Sequence, residues 1–500
     1  MTNQQVWKCV RGTHAWHPCV TASKDPDARH HLRFWANLIV QPPANPYGTV
    51  LCIDVPIPLL YGSEVTRRWR FHCVCNILIS VFVLVPSLGC DRKSTDIDEP
   101  DEDVEARLYA LGYVESTPDP AADRGKEGVI VYDPAAACPG INVYCSEKHG
   151  NLTLFDMAGT ALHRFELPDL HCKLLEPYDE ESFVILTNGE GILKIDWDSM
   201  VQWHNPGGYY HHDIAVAENG DIYTFKNVVR SVEYQGETLR FLDNSLAVLG
   251  PDGHERSTLS LYGLLGHLVP EDRFPRLYAE LQQHGTIDIG SGRTSDIFHA
   301  NSLEILQHDG PLGPRGALLI SIRYLDLIAV VDLEERQLLW SWGPGELDHP
   351  HHPSVMANGN VLIFDNRPFR TYSRLVELEP SSKDIVWQYT SEDPRFYSET
   401  RGSAQELPNG NILVGQSDRG RWFEITKTGR IVWEFWPTEA EKAQGGDFMR
   451  FTIYRAHRFV DGQVLHPELR ALWDRLSRVT RTELSKCQYS GVPPITSLQP

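Results

Sequence analysis

His351-His352-Pro353-Ser354-Val355-Met356-Ala357-Asn358-Gly359-Asn360 is followed by "VLIFDN" at 361–366 and then by Ile385-Val386-Trp387. This stretch decides the fold because it recurs. "GSAQELPNGN" at 402–411 is followed by "ILVGQ" and by Ile431-Val432-Trp433, and His211-His212-Asp213 precedes Asn219-Gly220 and "DIYTF". His351, His212 and Gly402 each stand eight residues before the glycine of an Asn-Gly turn. Short strands and glycine turns with a period in the forties describe a β-propeller.

Working outward, six such units can be read, which predicts an all-β, six-bladed propeller over 128–460. "GINVYCSEKHGNLTLFDMAGTALHRFELP" is the first unit and "SFVILTNGEGILKIDWDSMVQW" the second. "HHDIAVAENGDIYTF" with "NSLAVLGPDGHERSTLSL" makes the third, and "HANSLEIL" with "GALLISIRYLDLIAVVDLEERQLLWSWG" the fourth. The two quoted blocks complete the six. Trp340, Trp387 and Trp433 end their units 47 and 46 residues apart, a spacing that suits packing between blades. "FTIYRAHRFV" is expected to supply a strand that closes the ring. The pattern breaks at 262–295, where "EDRFPRLYAELQQHG" places Phe274, Leu277 and Leu281 at helical spacing. This insertion reads as a packing helix, with a lid or wall of the site as the alternative. Residues 461–500 read as a tail, helical and then loose.

The 500 residues carry 67 acidic against 46 basic side chains, a formal charge of -21. That balance argues against nucleic acid as a partner, since phosphate binding needs clustered cations, and serves solubility. Six of the ten cysteines lie at or before Cys90. No CxxC pair is present, which disfavours a structural zinc site. Cys138 and Cys145 could close a small disulfide loop in an exported protein, or remain free thiols.

The N-terminal region is unlike the rest. Arg67-Arg68-Trp69-Arg70 precedes the apolar "VCNILISVFVLVPSLG", then Cys90, then the acidic "DRKSTDIDEPDEDVE". Basic run, short apolar run and boundary form an export-signal layout over 65–90. Gly89-Cys90 resembles the end of a lipoprotein signal, with Cys90 as the lipidation site, although Ser87 and Leu88 depart from the usual pattern. A short anchor or a buried segment is the alternative. On the signal reading, translation begins near Val65 and 1–64 form a non-native or disordered extension. Residues 91–127 would then be a polar tether, disordered around 96–103. The expected location is the periplasm or cell envelope, with a possible lipid anchor to the membrane.

The innermost strand of each blade lines a propeller's channel. His212, His351 and His299 of "DIFHANS" open such strands, so three blades offer imidazoles at one level, and Gly402 offers space in another. Converging histidines suit a metal, or a nucleophile with an acid/base partner. Arg323 in "LISIRYLD" tilts the choice toward an oxyanion such as sulfate or phosphate, because a guanidinium repels a cation. In a flat strand, neighbours face opposite sides. Only one of His211/His212 and one of His351/His352 is therefore expected in the channel, the register selecting His212 and His351 unless a bulge swaps them. His349 is a further candidate.

"HHDIAVAENGDIY", "FHANSLEIL", "LLISIRYLDLIAVVD", "LLWSWG", "HHPSVMANGNVLIFDN" and "AQELPNGNILVGQSDRGRWFEITKTGRIVWEF" together resemble the bacterial arylsulfotransferases of the aryl-sulfate-dependent type. The resemblance runs from about residue 128 to about 459. It implies a six-bladed propeller that moves a sulfuryl group from a phenolic sulfate to a phenol without a nucleotide donor, by ping-pong kinetics through a sulfated histidine. The chain agrees in having no Gly-rich phosphate loop before a helix. By resemblance, His351 matches the nucleophile, His212 and His299 the acid/base groups, Arg323 the sulfate-binding arginine and Asn301 a substrate-binding residue, with His211 and His352 alongside. No cofactor or metal is implied, and the partners are small phenolic sulfates and phenols. His351 should titrate near or below neutrality, because only the neutral ring attacks. The rival readings are a metal-dependent propeller hydrolase or lactonase and a non-catalytic binding propeller.

Overall fold

The computed structural model describes residues 123–484 except 124, 146–151, 168–169, 285–295, 371, 393–394, 438–439, 443–447 and 462–465. Before residue 123 it describes four three-residue strands, at 38–40, 49–51, 94–96 and 116–118. The signal-like segment, Cys90, the start near Val65 and nearly all of the acidic run lie outside the described residues. The chain divides into a unit of Met1–Leu88 and a unit of Gly89–Pro500. In the first, Leu38–Val40 pairs antiparallel with Thr49–Leu51.

The second unit is mostly β, with six blades in a ring. Blade 1 orders His457–Phe459, Ile141–Cys145, Leu152–Phe155 and Ala161–Phe165 from inside outward. Blade 2 holds Cys172–Pro177, Ser182–Thr187, Ile192–Asp196 and Val201–Asn205. Blade 3 begins at Tyr210–Val216, blade 4 at Ala300–Ile305, blade 5 at Pro350–Val355 and blade 6 at Ser403–Glu406. Blades 2 to 5 are antiparallel meanders in sequence order, as Asn-Gly and related turns between short apolar strands dictate.

The ring is closed by the segment expected to close it. His457–Phe459 becomes the innermost strand of blade 1, in register with Ile141–Val143. Arg458 is fully buried there and binds Glu424 of blade 6, the Cys138 carbonyl and Asn142 Oδ1. Gly140 leaves room for it, since a Cβ at Gly140 would fall 2.3 Å from the Arg458 side chain. The strand Gly128–Tyr132 joins the outer edge of blade 6, not blade 1, by pairing with Ile431–Trp436.

Neighbouring blades are tied by tryptophans. Trp203, Trp340, Trp387 and Trp433, on outer strands, each donate an indole N–H to a carbonyl in the last turn of the next blade: Pro251, Pro380, Lys427 and Met157. The apolar ring covers the blade interface while its one donor is satisfied, which is why tryptophan suits the position.

Two features depart from a regular propeller. The hairpin of Ile222–Tyr234 and Glu237–Leu249 in blade 3 runs for 13 residues a side. Its turn, Gln235-Gly236, has φ of 53° and 83°, the two positive values that a type I′ hairpin turn needs. The insertion forms helix α1 (Leu261–Leu265) and helix α2 (Arg273–His284). Phe274 and Leu277 of α2 bury against the hairpin cluster that includes Phe241 and Leu242, so α2 is a packing helix. Its first residue also reaches the channel mouth, where Arg273 Nη2 donates to the Tyr324 carbonyl at 2.7 Å. Helix α3 (Pro467–Leu484) follows the propeller, its Leu469 and Leu472 covering blades 1 and 2.

Cys145 and Cys172 form a disulfide between blades 1 and 2, while Cys138 is buried outside any disulfide, its Sγ facing the Pro139 carbonyl. Neither alternative read from the sequence, a Cys138–Cys145 disulfide or two thiols, holds for Cys145, because the fold sets its strand beside the blade 2 strand that carries Cys172, with the two Cα atoms 5.2 Å apart.

Candidate active site

The site lies where the inner strands of blades 3, 4 and 5 begin. Blade 3 supplies His211 and His212, blade 4 supplies His299, Asn301 and Arg323, and blade 5 supplies His351 and His352. Each of the three strands breaks register there, between His211 and Ile214, Ala300 and Ser302, and His351 and Ser354. His212, His299 and His352 have φ of 68°, 53° and 45°. A non-glycine residue in this left-handed region costs about 1 kcal/mol or more, and such strain concentrates at functional sites.

The bulges overturn the expectation that one histidine of each pair turns away. The Nδ1 atoms of His211 and His212 touch each other. His351 and His352 line one small cavity together with Asn301, Arg401, Gly402, Tyr454 and Arg455. A bulge changes the alternation on which the one-in, one-out rule depends. The cavity accounts for Gly402 in part. A Cβ there would also lie 2.3 Å from the Phe364 ring, so packing as well as open space demands glycine.

The four groups chosen from sequence come together. The rings of His212 and His299 meet edge to face with centroids 5.0 Å apart. Arg323 begins a short turn just after its strand, not within it, and its backbone N–H donates to the His299 carbonyl at 3.1 Å. Its side-chain Nε is buried without a hydrogen-bond partner. The charge of Arg323 acts on His351. Asn301 donates through Nδ2 to the Pro350 carbonyl at 2.9 Å, while its Oδ1 is buried and unpartnered.

Burial sets the protonation of the site. It is the largest cause holding His351, His212 and His352 well below the ordinary histidine value. For His351 the Arg323 guanidinium adds to it. His299 is also lowered by burial, against the opposing pull of Asp296, whose Oδ2 lies 3.0 Å from Nδ1. His211 falls to about 3. The histidines are neutral at pH 7.

His351 and His352 differ in their partners. His351 Nδ1 lies 2.7 Å from Asn366 Oδ1 and 3.2 Å from the His349 carbonyl, while Nε2 is buried with no partner. His352 Nδ1 faces the backbone of Ala404 in blade 6, 3.0 Å from its carbonyl and 3.3 Å from its N–H.

Several residues of the site carried no sequence signal. Asp213 accepts from Arg455 at 2.6 Å and from the Leu303 N–H at 2.9 Å. Tyr454 donates to the Asn301 carbonyl at 2.9 Å. The buried ammonium of Lys173, beside the disulfide in blade 2, stands 4.7 Å over the Tyr454 ring and helps to lower His211 and His212. Lys173, Tyr454 and Arg455 lie outside the repeat block, so only the fold assembles them with Asp213. His349 sits at the rim, where Tyr324 lies between its ring and that of His299. Its ligand atom and those of Asp326 and Asp348 lie within 4.8 Å of one another, the one group among the described residues able to hold a metal. His212, His299 and His351 do not form such a group among the described residues.

A family model described as arylsulfotransferase (ASST) matches residues 192–438. Comparison with curated proteins gives no match. Among solved structures, a protein of unknown function from Bacteroides caccae is similar at 13% identity over 60% of this chain and 94% of its own, with a TM-score of 0.39. A streptogramin B lyase is similar at 13% identity over 69% and 98%, with a TM-score of 0.36. A virginiamycin B lyase from Staphylococcus aureus is similar at 11% identity over 59% and 82%, with a TM-score of 0.34.

Proposed function

Residues 192–438 belong to the arylsulfotransferase family, which supports sulfotransferase activity, and on that premise we propose that the protein moves a sulfuryl group from a phenolic sulfate to a phenol through His351. The observation that carries this reading is the state of the His351 ring. Nδ1 faces two oxygen acceptors, Asn366 Oδ1 and the His349 carbonyl, so it holds the proton. Nε2 then bears a lone pair, and it is buried, unpartnered and influenced by the Arg323 charge. A neutral imidazole with a bare nitrogen is the nucleophile that the chemistry needs.

In the first half-reaction the Nε2 lone pair forms a bond to sulfur and the S–O bond to the aryl oxygen breaks. The electron pair leaves with the phenolate, which takes a proton from water. The sulfated ring keeps its Nδ1 proton, and its positive charge faces the two oxygens beside Nδ1. In the second half-reaction an acceptor phenol loses its proton to His212 or His299, its oxygen attacks sulfur, and the N–S bond breaks. Arg323 offsets charge on the equatorial sulfuryl oxygens, as cationic groups do in phosphoryl transfer. Asn301 positions the substrate, and His211 and His352 complete the walls. Incubation with 4-nitrophenyl sulfate and phenol tests the reading: nitrophenol release that depends on phenol is expected, and no release with any phenol acceptor would overturn it.

We also propose that the propeller works outside the cytoplasm, in the periplasm or cell envelope. The Cys145–Cys172 disulfide supports this, because such bonds persist in oxidising compartments, as does the signal-like run ending at Cys90. Processing at Cys90 to a lipid-anchored mature form, shown by the mass of the native N-terminal peptide, would test it. An unprocessed native N-terminus would refute it.

A further inference from the structure

The uncharged side chain beside His351 carries an inference that rests on the sulfuryl-transfer reading and goes beyond it. Asn366 is fully buried at the end of "VLIFDN". Its Nδ2 donates to two carbonyls, Ser398 at 2.8 Å and Arg401 at 2.7 Å. Rotating the amide would place Oδ1 against both carbonyl oxygens, so the amide has one orientation. Oδ1 is thereby aimed at His351 Nδ1, 2.7 Å away. An acceptor so fixed determines which ring nitrogen carries the proton.

We propose that Asn366 is the positioning residue of the reaction: clamped by the 398–401 segment, its amide oxygen holds the proton on His351 Nδ1 and leaves Nε2 as the nucleophile, without the charge a carboxylate would bring. The absence of charge has a consequence. A carboxylate at this place would stabilise the imidazolium and pull the ring toward its protonated, unreactive form. Arg323 and His299 from blade 4, His212 from blade 3, His352 from the same strand, and Arg401 and Arg455 across the cavity surround His351. Burial and Arg323 favour the neutral ring, and the hydrogen bond to uncharged Asn366 opposes them less than one to a carboxylate would. The clamp also links the site to the blade 5–6 connection, since Ser373 Oγ joins the Asn366 and Ser398 carbonyls at 3.0 and 3.2 Å.

The test is nitrogen NMR of the full chain labelled with 15N-histidine, with His351 assigned by its loss in His351→Gln. The ring should be the Nδ1–H tautomer in the native protein. Asn366→Leu should populate Nε2–H and lower kcat/KM for 4-nitrophenyl sulfate by up to about ten-thousandfold, the order that a wrong tautomer costs a catalytic imidazole. Asn366→Asp keeps an acceptor facing Nδ1 if the leucine variant does not fold. It should retain Nδ1–H, raise the ring pKa and move the acid limb of kcat/KM to higher pH. An Nε2–H tautomer in the native protein, an unchanged tautomer in Asn366→Leu, or an unmoved pH profile in a folded Asn366→Asp would overturn the proposal. The tautomer is read without substrate, so a native Nδ1–H ring in a protein inert toward every aryl sulfate would refute the sulfuryl-transfer reading and not the positioning role.

Discussion

Asp213 of blade 3 and Arg455 of the ring-closing segment form an ion pair of 2.6 Å inside the propeller, 242 residues apart in sequence. Asp213 follows the His211-His212 pair directly, and Arg455 lines the cavity that holds His351 and His352. The same contact thus closes the ring and braces the site. Removing one partner of a buried pair leaves an uncompensated charge and costs about 3–5 kcal/mol. Arg455→Met should lower unfolding stability by that order in urea titration, and Asp213→Asn combined with it should recover part of the loss.

His352→Ala should separate the two histidines of blade 5. His352 binds the Ala404 backbone instead of an acceptor pair that leaves Nε2 bare. Steady-state kinetics should show a raised KM with turnover within about tenfold of native, since lost positioning weakens binding more than chemistry. His351→Ala should abolish turnover altogether.

Stability should fall on acidification. Burial holds His211 at about 3 and His457 at about 4 and keeps His212, His351 and His352 well below the ordinary value. Below about pH 6.5 the unfolded chain takes up protons that the folded chain refuses, so stability present above that value is lost as pH falls toward about 3. Each such histidine contributes up to about 1.4 kcal/mol per pH unit within its window. Urea midpoints measured from pH 8 to pH 4 should decline accordingly, and flat midpoints would contradict the burial of these rings.

Glu304 should behave in the opposite sense. Burial pushes its carboxyl up to about 8, although the Val355 N–H opposes the shift. The folded state holds a proton that the unfolded state releases above about pH 4.3, so this residue's contribution is lost as pH rises from there through about 8. Glu304→Gln should therefore raise stability at pH 8, by an amount on the order of 1 kcal/mol or more, and change little at pH 4.

The fold was legible because its repeat is a repeat of turns: the Asn-Gly glycines and the terminal tryptophans mark units that can be counted. His212, His299 and His351 were legible for the same reason, since one place in the repeat maps to one level of the channel. What the pattern could not show were departures from strand geometry. The bulges after His211 and His351 place both members of each pair in the site, and alternation in a flat strand cannot anticipate that. Nor could spacing find Asp213 with Arg455, Lys173 beside Tyr454, or Cys145 with Cys172. Each of these joins separate blades or segments, and only closure of the ring makes them neighbours.

The most direct test of the account is to expose the protein to 4-nitrophenyl sulfate without acceptor, digest it and locate the added sulfuryl group by mass spectrometry under conditions that preserve N–S bonds. The account predicts one equivalent on the peptide carrying His351, fragmenting to His351 and discharged by added phenol. Label on His352, or phenol-dependent turnover with no labelled histidine, would contradict it.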